Sequence, residues 1–284
     1  MGWRRGVLGL LLVALVPVLA SCSKPVGSAS VQDVAWVATG ASVTLPGQTV
    51  TPVTLGASRV GAPVTVGSLP SALAYTAHDT GLLVVTQGDD TLHEIDPVTH
   101  DVVHTAGVGV EPDAVAVAPG GQGGKGIALV ANLDSDNVTP VDLGTWRVGT
   151  PVPVGKEPVS IAVSVSTSGA ATAFVANFGD NTVTPIDVAT MTPGPVIKVG
   201  PGPQTIAVAP GEVLVGTFGN HALTPINATT LAPGGSVALP VSPTGIVVAP
   251  SGTTAYVCGG SSVFSLSTLG LVAGTPVTLP AIAQ

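Results

Sequence analysis

The chain has 284 residues, 45% of them hydrophobic but only 8% charged and 3% aromatic, with a formal charge of −8. An acidic chain with so few cations argues against nonspecific nucleic-acid binding, which works by neutralising phosphates. Its Val, Ala, Leu and Ile content argues against disorder. After residue 33 no stretch keeps a 3.6-residue apolar period free of Pro or Gly, which argues against helix.

The N-terminus reads as an export signal. Arg4 and Arg5 precede an apolar run from Val7 to Ala20, broken only by Gly9 and Pro17. That length suits a signal-peptide core and is short for a membrane span. The run ends in Leu19-Ala20-Ser21-Cys22, which resembles the lipobox of bacterial lipoproteins. The resemblance implies a diacylglycerol on the Cys22 sulfur, cleavage before Cys22 and further acylation, as with palmitate, of the freed amine. An ordinary secretory signal with a chance cysteine is the other reading. The expected divisions are a signal peptide over 1–21, a small, polar, flexible tether over 22–33 and a folded domain over 34–284. Two or three acyl chains anchor a protein stably where one does not. The expected location is therefore the extracytoplasmic face of a cell membrane or outer membrane, with the bilayer as one partner. Removal of 1–21 leaves 6 basic and 16 acidic side chains, a formal charge of −10.

Beyond the tether a phrase Pro-x-x-(Leu/Val/Ile)-(Ala/Val)-(Val/Tyr) starts at Pro70, Pro112, Pro158, Pro203 and Pro243, at intervals of 42, 46, 45 and 40 residues. A period in the low forties fits a unit of four short antiparallel strands, so the expected fold is an all-β propeller. In the unit from Pro158 the strands read Ser160–Val165, Ala173–Asn177, Thr182–Asp187 and Pro195–Val199, with Phe178-Gly179-Asp180-Asn181 as a hairpin turn. Inner strands apolar on both faces fit blades covered on either side. Residues 35–39, 49–55 and 62–66 supply strands two to four of an earlier unit that lacks its first strand. The terminal Leu279-Pro280-Ala281-Ile282-Ala283-Gln284 looks like the start of another phrase and would complete that blade. Six blades is the expected count and seven the alternative.

Pro52, Pro140, Pro185 and Pro225 share one column in strand three. A central strand cannot spare an N–H, so either that position faces away from the inner ladder or a bulge sits there. The run Ala-Phe-Val-Ala-Asn-Phe-Gly-Asp-Asn-Thr-Val-Thr-Pro-Ile-Asp, followed by Val-Gly-x-x-Pro-x-x-Ile-Ala-Val, resembles the YVTN repeat. The resemblance spans about residues 34–284 and is faintest in the last unit. It implies a secreted or cell-surface propeller and carries over no catalytic residue.

Chemistry is thinly signalled. Asp89, Asp90, Glu111, Asp113, Asp134, Asp136, Glu157 and Asp180 map to connections on one rim. They are candidates for a hard cation such as Ca²⁺ or for a cationic ligand; Asp, Asn and Gly also populate hairpin turns for backbone reasons alone. His78, His93, His100, His104 and His221 read as packed or solvated, because the neighbours His93 and Glu94 must point to opposite faces. Cys258 aligns with Ala176 and reads as a small buried thiol. No haem-attachment, nucleophile-elbow, zinc-protease or phosphate-loop motif occurs. The leading expectation is a noncatalytic binding or scaffold lipoprotein that engages an envelope protein or small ligand. The alternative is a lactonase-like hydrolase or lyase with a metal or acid–base site at the channel mouth.

Overall fold

The computed structural model describes residues 13–14, 34–38, 47–54, 59–76, 80–120 and 124–279. They form six antiparallel sheets and, among the described residues, no helix. The fold is all-β, a propeller of six blades with four antiparallel strands each. The chain divides into two compact units, 1–107 and 108–284.

The first unit holds two sheets. In the first, Val34–Ala38 pairs with Thr49–Thr54, whose other side carries Arg59–Val60 and Val64–Thr65. On the free side of Val34–Ala38 lies Val13–Ala14, with Val13 opposite Val37 and Ala14 opposite Trp36. This place was expected to fall to the C-terminal tail. Residues 280–284 lie outside the described residues, and Val13–Ala14 stands there instead. The second sheet is a regular meander of Pro70–Tyr75, Leu82–Thr86, Thr91–Ile95 and Val102–Gly107. Trp36, Val50, Leu73, Leu82, Val84 and Ile95 form the core between the two sheets. The Trp36 ring meets His100 edge-on, with centroids 5.1 Å apart.

The second unit holds four sheets, and each first strand follows the repeated phrase: Pro112–Ala118, Pro158–Val165, Pro203–Ala209 and Gly245–Val248. The middle strands follow the expected order, as in Ala171–Asn177 and Thr182–Asp187 of the fourth sheet. Burial on both faces has a direct cause. In the strand Ala171–Asn177, Ala173 and Val175 face the third sheet, while Phe174 and Ala176 face the fifth. Burying a Val or Phe fully is worth roughly 1.5–3 kcal/mol relative to exposure, so both faces of this strand hold the stack together. The first strands are also stitched sideways: Ser160 Oγ accepts the Ile206 N–H at 3.2 Å and Thr205 Oγ1 the Ile246 N–H at 3.1 Å.

The sixth sheet departs from this scheme. Ala255 and Val257 pack toward the fifth sheet, but Tyr256 is 49% exposed and Cys258 is an exposed free thiol. This corrects the expectation of a buried Cys258. Strand alternation puts it beside Tyr256, on the face turned from the fifth sheet.

The proline column also resolves. Pro185 stands opposite Phe174, yet its carbonyl accepts the Gly194 N–H from the outer strand at 2.7 Å. A strand residue points its N–H and C=O to the same side, so the missing donor faces outward. There the fourth strand is broken into Thr192–Pro193 and Ile197–Lys198, where continuous Pro195–Val199 was expected. Pro52, Pro140 and Pro225 repeat the bond with Gly61, Gly149 and Gly234, each at 2.8 Å. A Cβ on those glycines would sit 2.8, 3.0 and 3.0 Å from the proline Cγ, so the partner column must stay small. Proline is not required for the break, since Ser265 with Gly274 keeps it in the sixth sheet. Glu94, in the same column of the second sheet, faces an outer strand that runs unbroken from Val102 to Gly107.

Candidate functional site: the loop-and-turn end of the sheets

In the second, third and fourth sheets the hairpin between the second and third strands ends in two polar residues. They hold the loops that lead into the first strands. In the first unit the Asp89 carboxylate accepts the Ser68 N–H at 2.5 Å, and Asp90 takes a positive φ of 55°. In the second unit Asp180 Oδ2 accepts the Lys156 N–H at 2.8 Å, and Ser135 Oγ accepts the Val110 N–H at 2.8 Å. The next position reaches the following loop: Asp136 Oδ1 takes the Glu157 N–H at 2.9 Å and Asn181 Oδ1 the Gly202 N–H at 2.8 Å. Asp136 and Asn181 sit at φ 51° and 57°, a region that Asp and Asn tolerate best after glycine.

Three of the eight candidate acids, Asp89, Asp136 and Asp180, therefore serve as backbone acceptors. Asp134 sits exposed at the head of its turn, and Glu111 and Glu157 precede first strands at φ 52° and 51°. Among the described residues no three His, Cys, Asp or Glu side chains gather closely enough to hold one metal ion. Asp136→Ala is expected to cost about 1 kcal/mol in urea unfolding, with Asp136→Asn recovering most of it, because Asn keeps both the acceptor and the tolerance for positive φ.

Asp113 differs from the rest. It lies within the strand Pro112–Ala118, at a bulge between Pro112 and Ala114, and not in a connection. Half-buried by area but surrounded by protein, its carboxyl is pushed up to about 6 by burial, with the Glu111 charge adding to the effect. A β-bulge re-aims one side chain, which sequence reading had no means to see.

Behind the turns lies a buried polar layer that the sequence analysis did not single out. Asn132, fully buried, donates to Asn137 Oδ1 at 2.8 Å and Thr139 Oγ1 at 2.9 Å, and accepts the Gly109 N–H at 3.1 Å. Asn177 repeats the donations to Thr182 and Thr184 at 3.0 and 2.8 Å. The signal was present in the repeated Val-Ala-Asn ending of the second strand and the alternating Thr of the third.

The histidines divide by environment. His93 is buried with Thr91 Oγ1 2.8 Å from Nε2 and Thr105 Oγ1 2.9 Å from Nδ1. Burial lowers its pKa, and the Asp89 charge opposes that only in part. His104 lies on the other face, its Nε2 3.9 Å from the Glu94 carboxylate. His221 occupies the left-handed turn column at φ 48°, and His100 sits at φ 64° in the turn after Asp96. His78 and Cys22 lie outside the described residues.

At the outer edges of the third and fourth sheets an open groove of about 460 Å³ runs between Pro153–Gly155 and Pro193, Gly194 and Val196, with Asp180 and Thr182 along it.

No family model and no curated protein matches the sequence. Solved structures match in number, with 1379 chains alike, so the fold is too widely shared to select an activity. A hydrazine synthase chain from Kuenenia stuttgartiensis aligns over 74% of this chain at 21% identity and TM-score 0.63, and this chain spans 66% of that one. A functionally unknown protein from Desulfotomaculum acetoxidans aligns over 82% of this chain and 76% of its own at 18% identity and TM-score 0.66. A chain of a mitotic checkpoint complex aligns over 88% and 75% at 12% identity and TM-score 0.70.

Proposed function

We propose that this chain is an extracytoplasmic lipoprotein, held to a membrane through acylated Cys22, whose propeller binds or scaffolds an envelope protein or small ligand without catalysis. The observation that carries the noncatalytic part is the engagement of Asp89, Asp136 and Asp180 with backbone N–H groups. Carboxylates held this way order loops, and ordered loops on a rigid scaffold make a recognition surface. The anchor rests on Leu19-Ala20-Ser21-Cys22 at the end of the apolar run. Among the described residues no helix is long and apolar enough to cross a membrane. Metabolic labelling with a clickable palmitate analogue tests the anchor: label is expected on the native chain and absent from Cys22→Ser. A soluble, unlabelled native chain would contradict it. Crosslinking in intact envelopes tests the scaffold, and failure to recover any specific partner would count against it.

One observation favours the enzyme reading. Asp113 carries a carboxyl perturbed by burial, a property common to acid–base residues. A lactone or ester hydrolysis that the native chain performs and Asp113→Asn loses would replace the scaffold reading with that one.

A further inference from the structure

The two sheets of the first unit have unlike ends, and only one of them receives the chain from Cys22. Antiparallel pairing sets Val34 opposite Thr54, which in turn faces Arg59, so these three share one end of the first sheet. Ala38 and Thr49 mark the other end. The Gln48 carbonyl there accepts the Val66 N–H at 2.8 Å, and the Gly47 carbonyl accepts the Leu69 N–H at 2.9 Å. The same loop binds the acidic turn of the second sheet, with Gln87 N–H to Leu69 O and Gly88 N–H to Ser68 O, both 2.9 Å. Asp89 and Asp90 thus lie at the end away from Val34, and the turn from Asp96 to Asp101 lies at the Val34 end.

We propose that the Val34 end of this unit, with Arg59, Val60 and Val98, rests on lipid headgroups, and that the Asp89–Asp90 turn points away from the bilayer. The inference rests on the reading of Cys22 as acylated. Twelve residues, 22–33, separate that sulfur from Val34. Their greatest reach is about 40 Å. Presenting the opposite end would send the chain back along the sheet, about 17 Å for five strand residues, and use nearly half of that reach.

The surfaces agree with this direction. Val98 is 87% and Val60 66% exposed, and Arg59 is exposed beside Val60. Apolar tips beside a long cationic side chain suit the headgroup boundary of a membrane. Asp96 and Asp101 lie at the same end, Asp96 accepting the Val98 and Thr99 N–H groups at 2.8 and 3.0 Å, so the apolar tips rather than the charge balance favour this end.

The test uses acylated protein with Cys258→Ser and one fluorophore, at Val98→Cys or at Gln48→Cys, both exposed positions. The vesicles are phosphatidylcholine and phosphatidylglycerol with a headgroup spin-labelled lipid as quencher. Quenching at least threefold stronger at position 98 than at 48 is expected. Equal quenching, or stronger quenching at 48, in protein that floats with the vesicles overturns the orientation and leaves the anchor standing. Acylated protein that does not float, or Cys22→Ser protein that floats equally well, overturns the anchor itself.

Discussion

Replacing Asn132 with alanine is expected to remove about 3 kcal/mol of stability, seen as a lowered urea midpoint with an unchanged slope. The side chain is fully buried and satisfies the Gly109 N–H, Asn137 Oδ1 and Thr139 Oγ1 at once. Alanine leaves those groups in a cavity too enclosed for bulk water to repair. Asn132→Asp, similar in shape, is expected to do as badly near neutral pH, because it puts a buried charge against the Asn137 Oδ1 acceptor with only the Thr139 hydroxyl and the Gly109 N–H to compensate it. Gly109→Ala should damage the same joint from the other side, since its Cβ would fall 2.7 Å from Asn132 Cγ. Because the two residues touch, the double variant should cost less than the sum of the single ones. Strict additivity would show that Asn132 and Gly109 do not act on one joint.

Asp113→Asn is expected to act in the opposite direction, raising stability at pH 7 by about 1–2 kcal/mol. The carboxyl is pushed up to about 6 in the folded chain by burial and then by Glu111. An unfolded aspartate titrates near 3.9. Between about pH 4 and 6 the folded protein therefore holds a proton that the unfolded chain has released. Stability falls as pH rises through that window and is level above it. A shift of two units corresponds to about 3 kcal/mol, and the half-exposed setting screens it to the smaller figure. Asparagine cannot ionise, so the variant should lose the decline.

Asp142 and Asp187 pull the other way. Hydrogen bonds from Thr145 and from Thr190 hold their carboxyls below the usual range. Their contribution is present above the ordinary carboxylate pKa and is lost on acidification through the lowered one. His93, lowered by burial, also costs stability on acidification below its ordinary range, so the Asp113 effect is read as a difference: Asp113→Asn should gain on the native chain as pH rises from about 4 to 6, and its optimum should lie closer to neutrality. Thermal midpoints from pH 3 to 8 decide it; identical profiles for the two proteins would show that Asp113 is not strained by burial.

Much of the architecture was legible because it repeats. The interval between Pro112 and Pro158 marks a unit of chain, and Ala-Phe-Val-Ala-Asn reads as a strand buried on both faces. What a column of letters cannot show is direction. Pro185 looked out of place until its carbonyl proved to face Gly194, across a gap in the outer strand. Asp136 looked like a ligand, and its oxygen is taken up by the Glu157 N–H. Asp113 was counted with the connections because the bulge after Pro112 leaves no trace in spacing. Cys258 was aligned correctly with Ala176, but its burial depended on what covers the sixth sheet, which alignment does not say.

The broken outer strands have a consequence for behaviour in a crowd. A neighbour can extend a sheet only along an uninterrupted row of backbone groups, and in five of the six sheets that row is two residues long or is cut into two-residue pieces. The exception is Val102–Gly107, six residues long, with Val102 and Val103 turned to water. Where many copies share a surface, this ribbon is the place among the described residues at which they would begin to zip together, and the register shift opposite Glu94 and Ile95 puts a bulge in it that slows them.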